Sequence, residues 1–155
     1  MSIPMGPPPD LIDLLSAFAA ERVEYLIVGG QALAIHGHPR FTKDTDVWLR
    51  DDPENLERAR RALVAFGAPA AVFEGLRTAD ALDVVWMGAP PTRIDLMKGV
   101  PGGDFDRAWA TREPHDVGGV TALVVGREEL VKLKRASGRP QDLVDADALE
   151  RGSTP

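Results

Sequence analysis

A mixed α/β (α+β) fold is predicted, with a short mixed central sheet flanked by helices and closed by a C-terminal helical pair. Short apolar runs of strand length alternate along the chain with longer stretches of helical periodicity. The chain has 155 residues, the size of one ordinary domain, and contains no internal repeat or dividing linker. We therefore expect one domain over residues 10–150, with disordered segments at 1–9 and 151–155.

The first half of the chain is punctuated by residues that begin and end helices and strands. Asp10 and Asp52 are suited to capping helices, and Gly67 can end the second of these. Gly29 and Gly30 end the first apolar run abruptly. The predicted elements are a helix from Asp10 with Leu11, Leu14, Leu15 and Phe18 on one face, a strand over 24–28, a short helix over 31–36, a strand over 44–49 and a helix over 53–66.

The second half contains two neighbouring strands and two closing helices. Residues 88–91, Gly-Ala-Pro-Pro, suit a tight connection between strands at 82–87 and 92–97. Residues 68–82 show no firm period, so no element is predicted between the preceding helix and these strands. The remaining elements are a helical turn at 105–110, a strand at 120–125, and helices at 128–137 and 140–150, the last with Leu143, Ala146 and Leu149 on one side.

The net charge and the composition limit the cellular location and the binding partners that can be expected. The formal net charge of -6 disfavours sequence-independent binding to nucleic acid. No apolar run approaches the roughly 20 residues of a membrane span, and the N-terminus lacks the basic and apolar regions of a secretory signal. The absence of cysteine excludes a disulfide framework. We therefore expect a cytoplasmic protein that does not bind a membrane.

Three aspartates lie in predicted strands, where aspartate is disfavoured. Asp44 and Asp46 share one face of their strand because side chains alternate with period two, and Asp95 lies on another strand. Carboxylates gathered in this way can hold one or two hard cations such as Mg²⁺, which favour displacement at phosphorus. Asp95 could also accept the proton of an attacking hydroxyl. The alternative for Asp95 is a surface ion pair with Arg93 or Lys98.

Paired glycines before a helix can bind phosphate groups. Gly29 and Gly30 would let the backbone approach a triphosphate, and the amides at the start of the following helix carry a partial positive charge. The alternative is a tight turn that binds nothing. The aspartates that follow at positions 44 and 46 favour the phosphate interpretation.

Two segments carry a resemblance to a known family. Residues 28–49, VGGQALAIHGHPRFTKDTDVWL, resemble the glycine–glycine and Asp-x-Asp signature of the DNA polymerase beta-type nucleotidyltransferase superfamily. Residues 129–149, ELVKLKRASGRPQDLVDADAL, are similar to the C-terminal motif of its abortive-infection (type IV toxin-like) branch. The resemblance implies a nucleotidyltransferase fold over most of residues 23–149. The superfamily often has serine at the position of Gly30, and the branch usually has a longer C-terminal region.

The resemblance also implies roles for particular residues. Asp44, Asp46 and Asp95 would be catalytic residues and ligands of Mg²⁺ or Mn²⁺. The nucleotide-binding residues it implies are Gly29, Gly30, Arg40, Lys134 and Asp142. The expected activity is transfer of a nucleoside monophosphate from a nucleoside triphosphate to an acceptor hydroxyl on RNA, protein or a small molecule. The branch adds a role in a toxin–antitoxin or phage-defence system, with a cognate toxin or antitoxin as partner.

Several alternatives stay open at this point. Lys134 could be solvated surface, and Asp142 with Asp145 could simply favour the dipole at the start of a helix. The protein could be a non-catalytic antitoxin or regulator that keeps the fold without turnover. It could also be a nucleotidyltransferase that modifies aminoglycoside-like small molecules, because such an enzyme would share the site and differ in its acceptor pocket.

Overall fold

The computed structural model describes residues 9–38, 44–89 and 93–152. The helices are α1 (Pro9–Ala20), α2 (Gly29–Ile35), α3 (Pro53–Phe66), α4 (Ala70–Thr78), α5 (Phe105–Ala110), α6 (Arg127–Ser137) and α7 (Pro140–Arg151). The strands are β1 (Tyr25–Val28), β2 (Asp44–Leu49), β3 (Val84–Met87), β4 (Arg93–Met97), β5 (Glu113–Val117) and β6 (Val120–Val124). The terminal segments expected to be disordered lie outside the described residues, except that Pro9 and Arg151 belong to helices and Gly152 follows α7.

The strands form one mixed sheet in the order β3-β4-β2-β1-β6-β5. Strands β2 and β4 are parallel, as are β1 and β6, whereas the β1–β2, β3–β4 and β5–β6 pairs are antiparallel. Helices flank this sheet, and α6 packs against α7 at the C-terminus. The predicted fold class is therefore confirmed, and so is the pairing of the strands on either side of residues 88–91.

The apolar face predicted for α1 forms part of the core. Leu14, Leu15 and Phe18 are fully buried, where α1 packs against α3. Helix α3 begins and ends at the predicted residues, since the Asp52 side chain accepts a hydrogen bond from the Asn55 amide and Gly67 adopts a left-handed conformation. In the described residues, no helix combines the length and apolar character needed to cross a membrane.

The structure differs from the sequence-based prediction at four elements. Helix α2 begins at Gly29 rather than at residue 31, so both glycines lie in its first turn. Helix α4 occupies the unassigned region, and β5 was not predicted because Pro114 and its charged neighbours obscure the strand pattern. On α7, Ala146 and Leu149 are buried as predicted, but Leu143 is exposed, and Asp142 and Asp145 are buried as well.

Asn55 joins the start of β1 to the end of β2. Its fully buried side chain accepts a hydrogen bond from the Glu24 amide at 2.7 Å. Its amide nitrogen donates to the Glu24 carbonyl at 2.9 Å and to the Arg50 carbonyl at 3.0 Å. One side chain of α3 therefore satisfies backbone groups flanking two adjacent strands.

Candidate functional site

Four residues form a straight row across the sheet, one from each of four adjacent strands. Val28 pairs with Asp46, Asp46 with Asp95, and Asp95 with Trp86. Residues paired across neighbouring strands present their side chains on the same face, so Asp46 and Asp95 are brought side by side. Asp44 precedes Asp46 by two positions and lies on that face as well.

A cavity of about 220 Å³ is lined by Val28, Asp46 and Asp95 of this row, whereas Trp86 lies outside its lining. Gly29, Asp46 and Asp95 line it on the side of the sheet. Lys134 and Asp142 line it from α6 and α7, together with other residues of these helices. The structure thus brings most of the residues predicted for the site around one space, although Asp44 and Gly30 do not line it.

Asp46 is held in an environment that disfavours its charge. Burial is the largest cause, and the neighbouring charges of Asp95 and Asp44 add to it, so the pKa of Asp46 rises from 3.8 to about 6. A hydrogen bond with the Asp95 side chain acts in the same direction, and the positive charge of Lys134 partly opposes it. A cation placed among these carboxylates would relieve the repulsion.

Arg93 already supplies one positive charge to the aspartates. Its Nε donates to Oδ1 of Asp95 at 2.7 Å and lies 3.8 Å from Oδ1 of Asp44. The guanidinium also lies over the Trp86 ring, 4.9 Å from its centroid. The Arg93 pairing considered for Asp95 is therefore present, but it occurs within the carboxylate cluster rather than apart from it.

The carboxylates fit a hard cation in their chemistry but not yet in their arrangement. They are oxygen ligands on one face, and their mutual repulsion is what a divalent ion would offset. Across the part of the chain that the structure describes, no three His, Asp or Glu side chains are grouped so as to enclose a metal ion. Asp95 is hydrogen-bonded to Arg93 and to Asp46, so a cation shared by the two carboxylates would have to displace the hydrogen bond between them.

Gly29 is required by its backbone and by its contact with Asp46. Its φ of +68° lies in the left-handed region, and a Cβ atom there would overlap Oδ2 of Asp46. The cap residue Val28 has no side-chain oxygen, so no side chain caps the start of α2. Glycine at this position thus allows the start of α2 and the carboxylate to approach each other.

Replacing Gly29 with alanine is expected to lower the free energy of unfolding by about 2–4 kcal/mol, from left-handed strain and the collision with Asp46. The matched control is Gly67→Ala, because Gly67 has φ +93° with no atom near its added Cβ, and about 1 kcal/mol is expected there. Urea denaturation measures both. Adding Asp46→Ala should restore part of the Gly29→Ala loss, and equal losses in the two single variants would show that the contact is unimportant.

Lys134 lies inside an ion-pair cluster between α6 and α7. Its side chain is only 11% exposed, and its ammonium is 3.3 Å from Oδ1 of Asp142 and 3.2 Å from Oδ2 of Asp145. Arg139 donates to Asp142 at 2.7 Å, and Gln141 donates to Asp145 at 3.0 Å. The alternative that Lys134 is solvated surface is therefore wrong.

Asp142 has partners that stabilise its charge. Hydrogen bonds from Arg139 and Ser137, with the charges of Lys134 and Arg139, outweigh its burial and hold the pKa of Asp142 below its usual value. Asp142 and Asp145 are buried, so proximity to a helix start does not by itself account for them. The roles predicted for Lys134 and Asp142 in nucleotide binding stay predictions.

Three site residues escaped the sequence analysis, and one predicted residue cannot be placed. Arg40 lies outside the described residues. The spacing of two places Arg93 on the same strand face as Asp95, but only a surface ion pair with Asp95 was considered for it. Arg139 is signalled by its position directly before Pro140 at the start of α7. The position of Trp86 beside Asp95 depends on the order of the strands in the sheet, which no local sequence pattern predicts.

Comparison with known proteins identifies the fold. No protein-family model matches the chain, and no curated protein matches it. A suspected nucleotidyltransferase from Thermotoga maritima superimposes with a TM-score of 0.59 at 14% identity, over 92% of this chain and 89% of that one. ANT(2″)-Ia in complex with adenylyl-2″-tobramycin gives 0.55 at 13%, over 94% and 87%.

A third solved structure agrees with these two. An antigenic nucleotidyltransferase-like protein from Paracoccidioides brasiliensis gives a TM-score of 0.52 at 15% identity, over 90% of this chain and 74% of that one. At such identities the likeness shows the fold alone. The chain thus has the nucleotidyltransferase fold, and nothing in these three likenesses is specific to the abortive-infection branch.

Proposed function

We propose that this protein transfers a nucleoside monophosphate from a nucleoside triphosphate to an acceptor hydroxyl, with Mg²⁺ or Mn²⁺ as cofactor. The observation that carries the proposal is the row that places Asp46 and Asp95 side by side next to Gly29. On a nucleotidyltransferase fold, this is a carboxylate pair beside a helix start that can take phosphate.

The donor triphosphate would bind at the Gly29 end of the cavity. There no side chain caps the amides at the start of α2, and Gly30 carries no side chain, while the space beside the Gly29 Cα is taken by Asp46. Lys134 and Arg139 line the same cavity with positive charge. Asp142 would act by orienting these two cations, and Arg40 completes the proposed nucleotide-binding set.

The cation would be held by Asp44, Asp46 and Asp95. When bound, it would neutralise charge that develops on the phosphate oxygens during the displacement. The raised pKa of Asp46 supports this assignment, since a carboxyl group crowded by two others gains most from a neighbouring positive charge.

The reaction would be an in-line displacement at the α-phosphorus. The acceptor oxygen forms a bond to that phosphorus, and the bond to the oxygen bridging the α- and β-phosphates breaks. Pyrophosphate leaves with the bonding electron pair, and the acceptor proton passes to Asp95. Catalysis would come mainly from positioning and electrostatic stabilisation.

A small-molecule acceptor is the acceptor class with the most support. One of the structures sharing the fold holds an adenylylated aminoglycoside, and it covers most of both chains. A hydroxyl on RNA or protein, and with it a toxin–antitoxin or phage-defence role with a cognate partner, rests on the resemblance of residues 129–149 alone.

A second candidate function is nucleotide binding without turnover. The observation that favours it is the internal pairing of the site charges: Arg93 binds Asp95, and Lys134 binds Asp142 and Asp145. If these ion pairs persist when a nucleotide binds, the side chains that catalysis needs stay engaged with one another, and the protein binds the nucleotide without transferring it.

Label transfer distinguishes the two functions. The purified protein is incubated with each α-labelled triphosphate, Mg²⁺ and either tobramycin, RNA or a cell extract, and the labelled fraction is identified. We expect transfer by the parent and a loss on the order of 100-fold or more in Asp95→Asn. The matched control Asp147→Asn removes the same charge from an exposed carboxylate on α7 and should leave transfer unchanged.

Thermal melts of the same proteins complete the test. A ligand that binds only the native state raises the midpoint by mass action. A midpoint raised by Mg²⁺ and triphosphate without any label transfer would favour the binding protein. Neither a shift nor transfer with any nucleotide would reject both functions.

A further inference from the structure

Trp86 ends the row of paired residues on the side opposite Gly29. It pairs with Asp95 and lies on β3, an edge strand of the sheet. Its side chain faces the same side as Asp95, yet the residue is 58% exposed. A large exposed indole beside a cluster of charged groups is a feature that packing does not explain.

The geometry of an in-line displacement relates the position of Trp86 to the approach of the acceptor. In an in-line reaction the attacking and leaving oxygens lie on opposite sides of phosphorus. If the phosphates that leave are held near Gly29, the acceptor approaches from the opposite end of the row. Neighbouring strands are about 4.8 Å apart, so Trp86 lies about one strand spacing beyond Asp95 on that approach.

The surroundings of Trp86 support a binding surface. Arg93, itself anchored to Asp95, lies over the ring at 4.9 Å and restricts the orientation of the indole. Val84 is partly exposed two residues earlier on the same face and lines the cavity. The apolar surface of β3 is therefore continuous with the cavity that holds the carboxylates.

We propose that Trp86 is the platform on which the ring of a sugar-containing acceptor stacks, with the reacting hydroxyl directed toward Asp95. This inference rests on the proposed function and names its acceptor side. An indole presents a broad face to the ring of a nucleoside base or to the C–H face of an aminosugar, and its π-system also attracts a ligand ammonium. Trp86 positions the acceptor and takes no part in bond making.

Acrylamide quenching of tryptophan fluorescence tests the platform without turnover. Of the three tryptophans, Trp48 is buried and Trp109 is partly buried, so Trp86 dominates the accessible signal. The probes are tobramycin and adenosine, each with and without Mg²⁺ and the α,β-methylene analogue of ATP, which cannot release pyrophosphate. We expect at least one probe to roughly halve the quenching constant, because a stacked ring shields the indole.

Kinetics of three variants give the second readout. Trp86→Ala should raise the KM for the acceptor about 5- to 100-fold while the KM for the triphosphate stays unchanged. Trp86→Phe, which keeps an aromatic face, should restore most of the acceptor affinity. The matched control is Val64→Ala. Val64 lies on α3 and its apolar side chain is exposed, as that of Trp86 is, so its truncation should change neither KM.

The outcomes separate this inference from the proposed function. Protection by adenosine alone identifies a nucleoside acceptor, and protection by tobramycin alone identifies an aminosugar. Protection by the ATP analogue alone, or by neither acceptor probe, overturns the platform. Absence of both a midpoint shift and transfer with every triphosphate would instead overturn the proposed function, and protection from acrylamide by the acceptor probes would still decide the role of Trp86.

Discussion

Asp46→Asn is expected to lose nucleotide transfer on the order of 100-fold or more, and at the same time to stabilise the protein in the absence of divalent cations. The substitution removes the negative charge of the Asp46 carboxylate, which a divalent cation would need for binding. The same charge is unfavourable when no cation is bound, because burial and the carboxylates of Asp95 and Asp44 oppose it. Activity and metal-free stability should therefore change in opposite directions.

The size and pH dependence of the stabilisation follow from the pKa of Asp46. A carboxyl group whose pKa is raised from 3.8 to about 6 on folding stabilises the protein fully below pH about 4, and this contribution is lost as the pH rises through 6. Two pKa units correspond to about 3 kcal/mol. Asp46→Asn should match its parent near pH 4 and exceed it by up to about 3 kcal/mol at pH 7.

Urea denaturation in EDTA at several pH values measures this difference. Asp147→Asn serves as the control, since its carboxylate is exposed on α7 and forms an ion pair with Arg135. In Mg²⁺ and triphosphate the parent should regain the advantage, because it binds both more tightly than Asp46→Asn. An Asp46→Asn protein less stable than its parent at pH 7 in EDTA would mean that the carboxylate is a structural group.

Lys134→Met is expected to lower the free energy of unfolding by about 3–5 kcal/mol, because it removes the cation between two buried carboxylates. Asp142 keeps its bond to Arg139, so most of the loss should arise at Asp145, which is 1% exposed. Methionine fills much of the same volume, and the charge is therefore the main thing that changes.

Lys132→Met is the matched control for Lys134→Met. Lys132 lies two residues earlier on α6, is 58% exposed and pairs with Glu129, so less than about 1 kcal/mol is expected. Denaturant melts of both variants are compared with a Lys134→Met/Asp145→Asn double variant, which should regain part of the lost stability. Similar losses for Lys134→Met and Lys132→Met would contradict the assignment of a buried cluster.

Local sequence signals were sufficient to predict the helices and strands whose ends they mark. Strand β2 and helix α5 begin and end where the pattern predicts, and α3 is bounded by Asp52 and Gly67. Helix α4 was missed because neither end carries a capping signal: Pro69 precedes it without a side-chain cap, and Ala79 follows it. On α7 the burial of Ala146 and Leu149 was predicted correctly, but Leu143 is exposed, because Asp142 and Asp145 take part of the packed side against Lys134.

The candidate site was predictable in its residue types but not in its arrangement. The period of two places Asp44 with Asp46, and a second strand is needed to bring Asp95 near them. Which residue of β4 lies opposite Asp46 depends on strand order and register, which are long-range properties. For the same reason neither the contact between Gly29 and Asp46 nor the position of Trp86 could be derived from the sequence.

The hydrogen bonds of Asn55 have a consequence for how the site is specified. Helix α2 lies between strands β1 and β2 in the chain, so no two-residue hairpin turn sets their alignment. A slip of one residue would turn Asp46 toward the core and bring Thr45 or Val47 into the cavity. Asn55 hydrogen-bonds to the backbone next to both strands at the end remote from the carboxylates. It thereby fixes the register that places Asp46 in the cavity, although it does not contact the site.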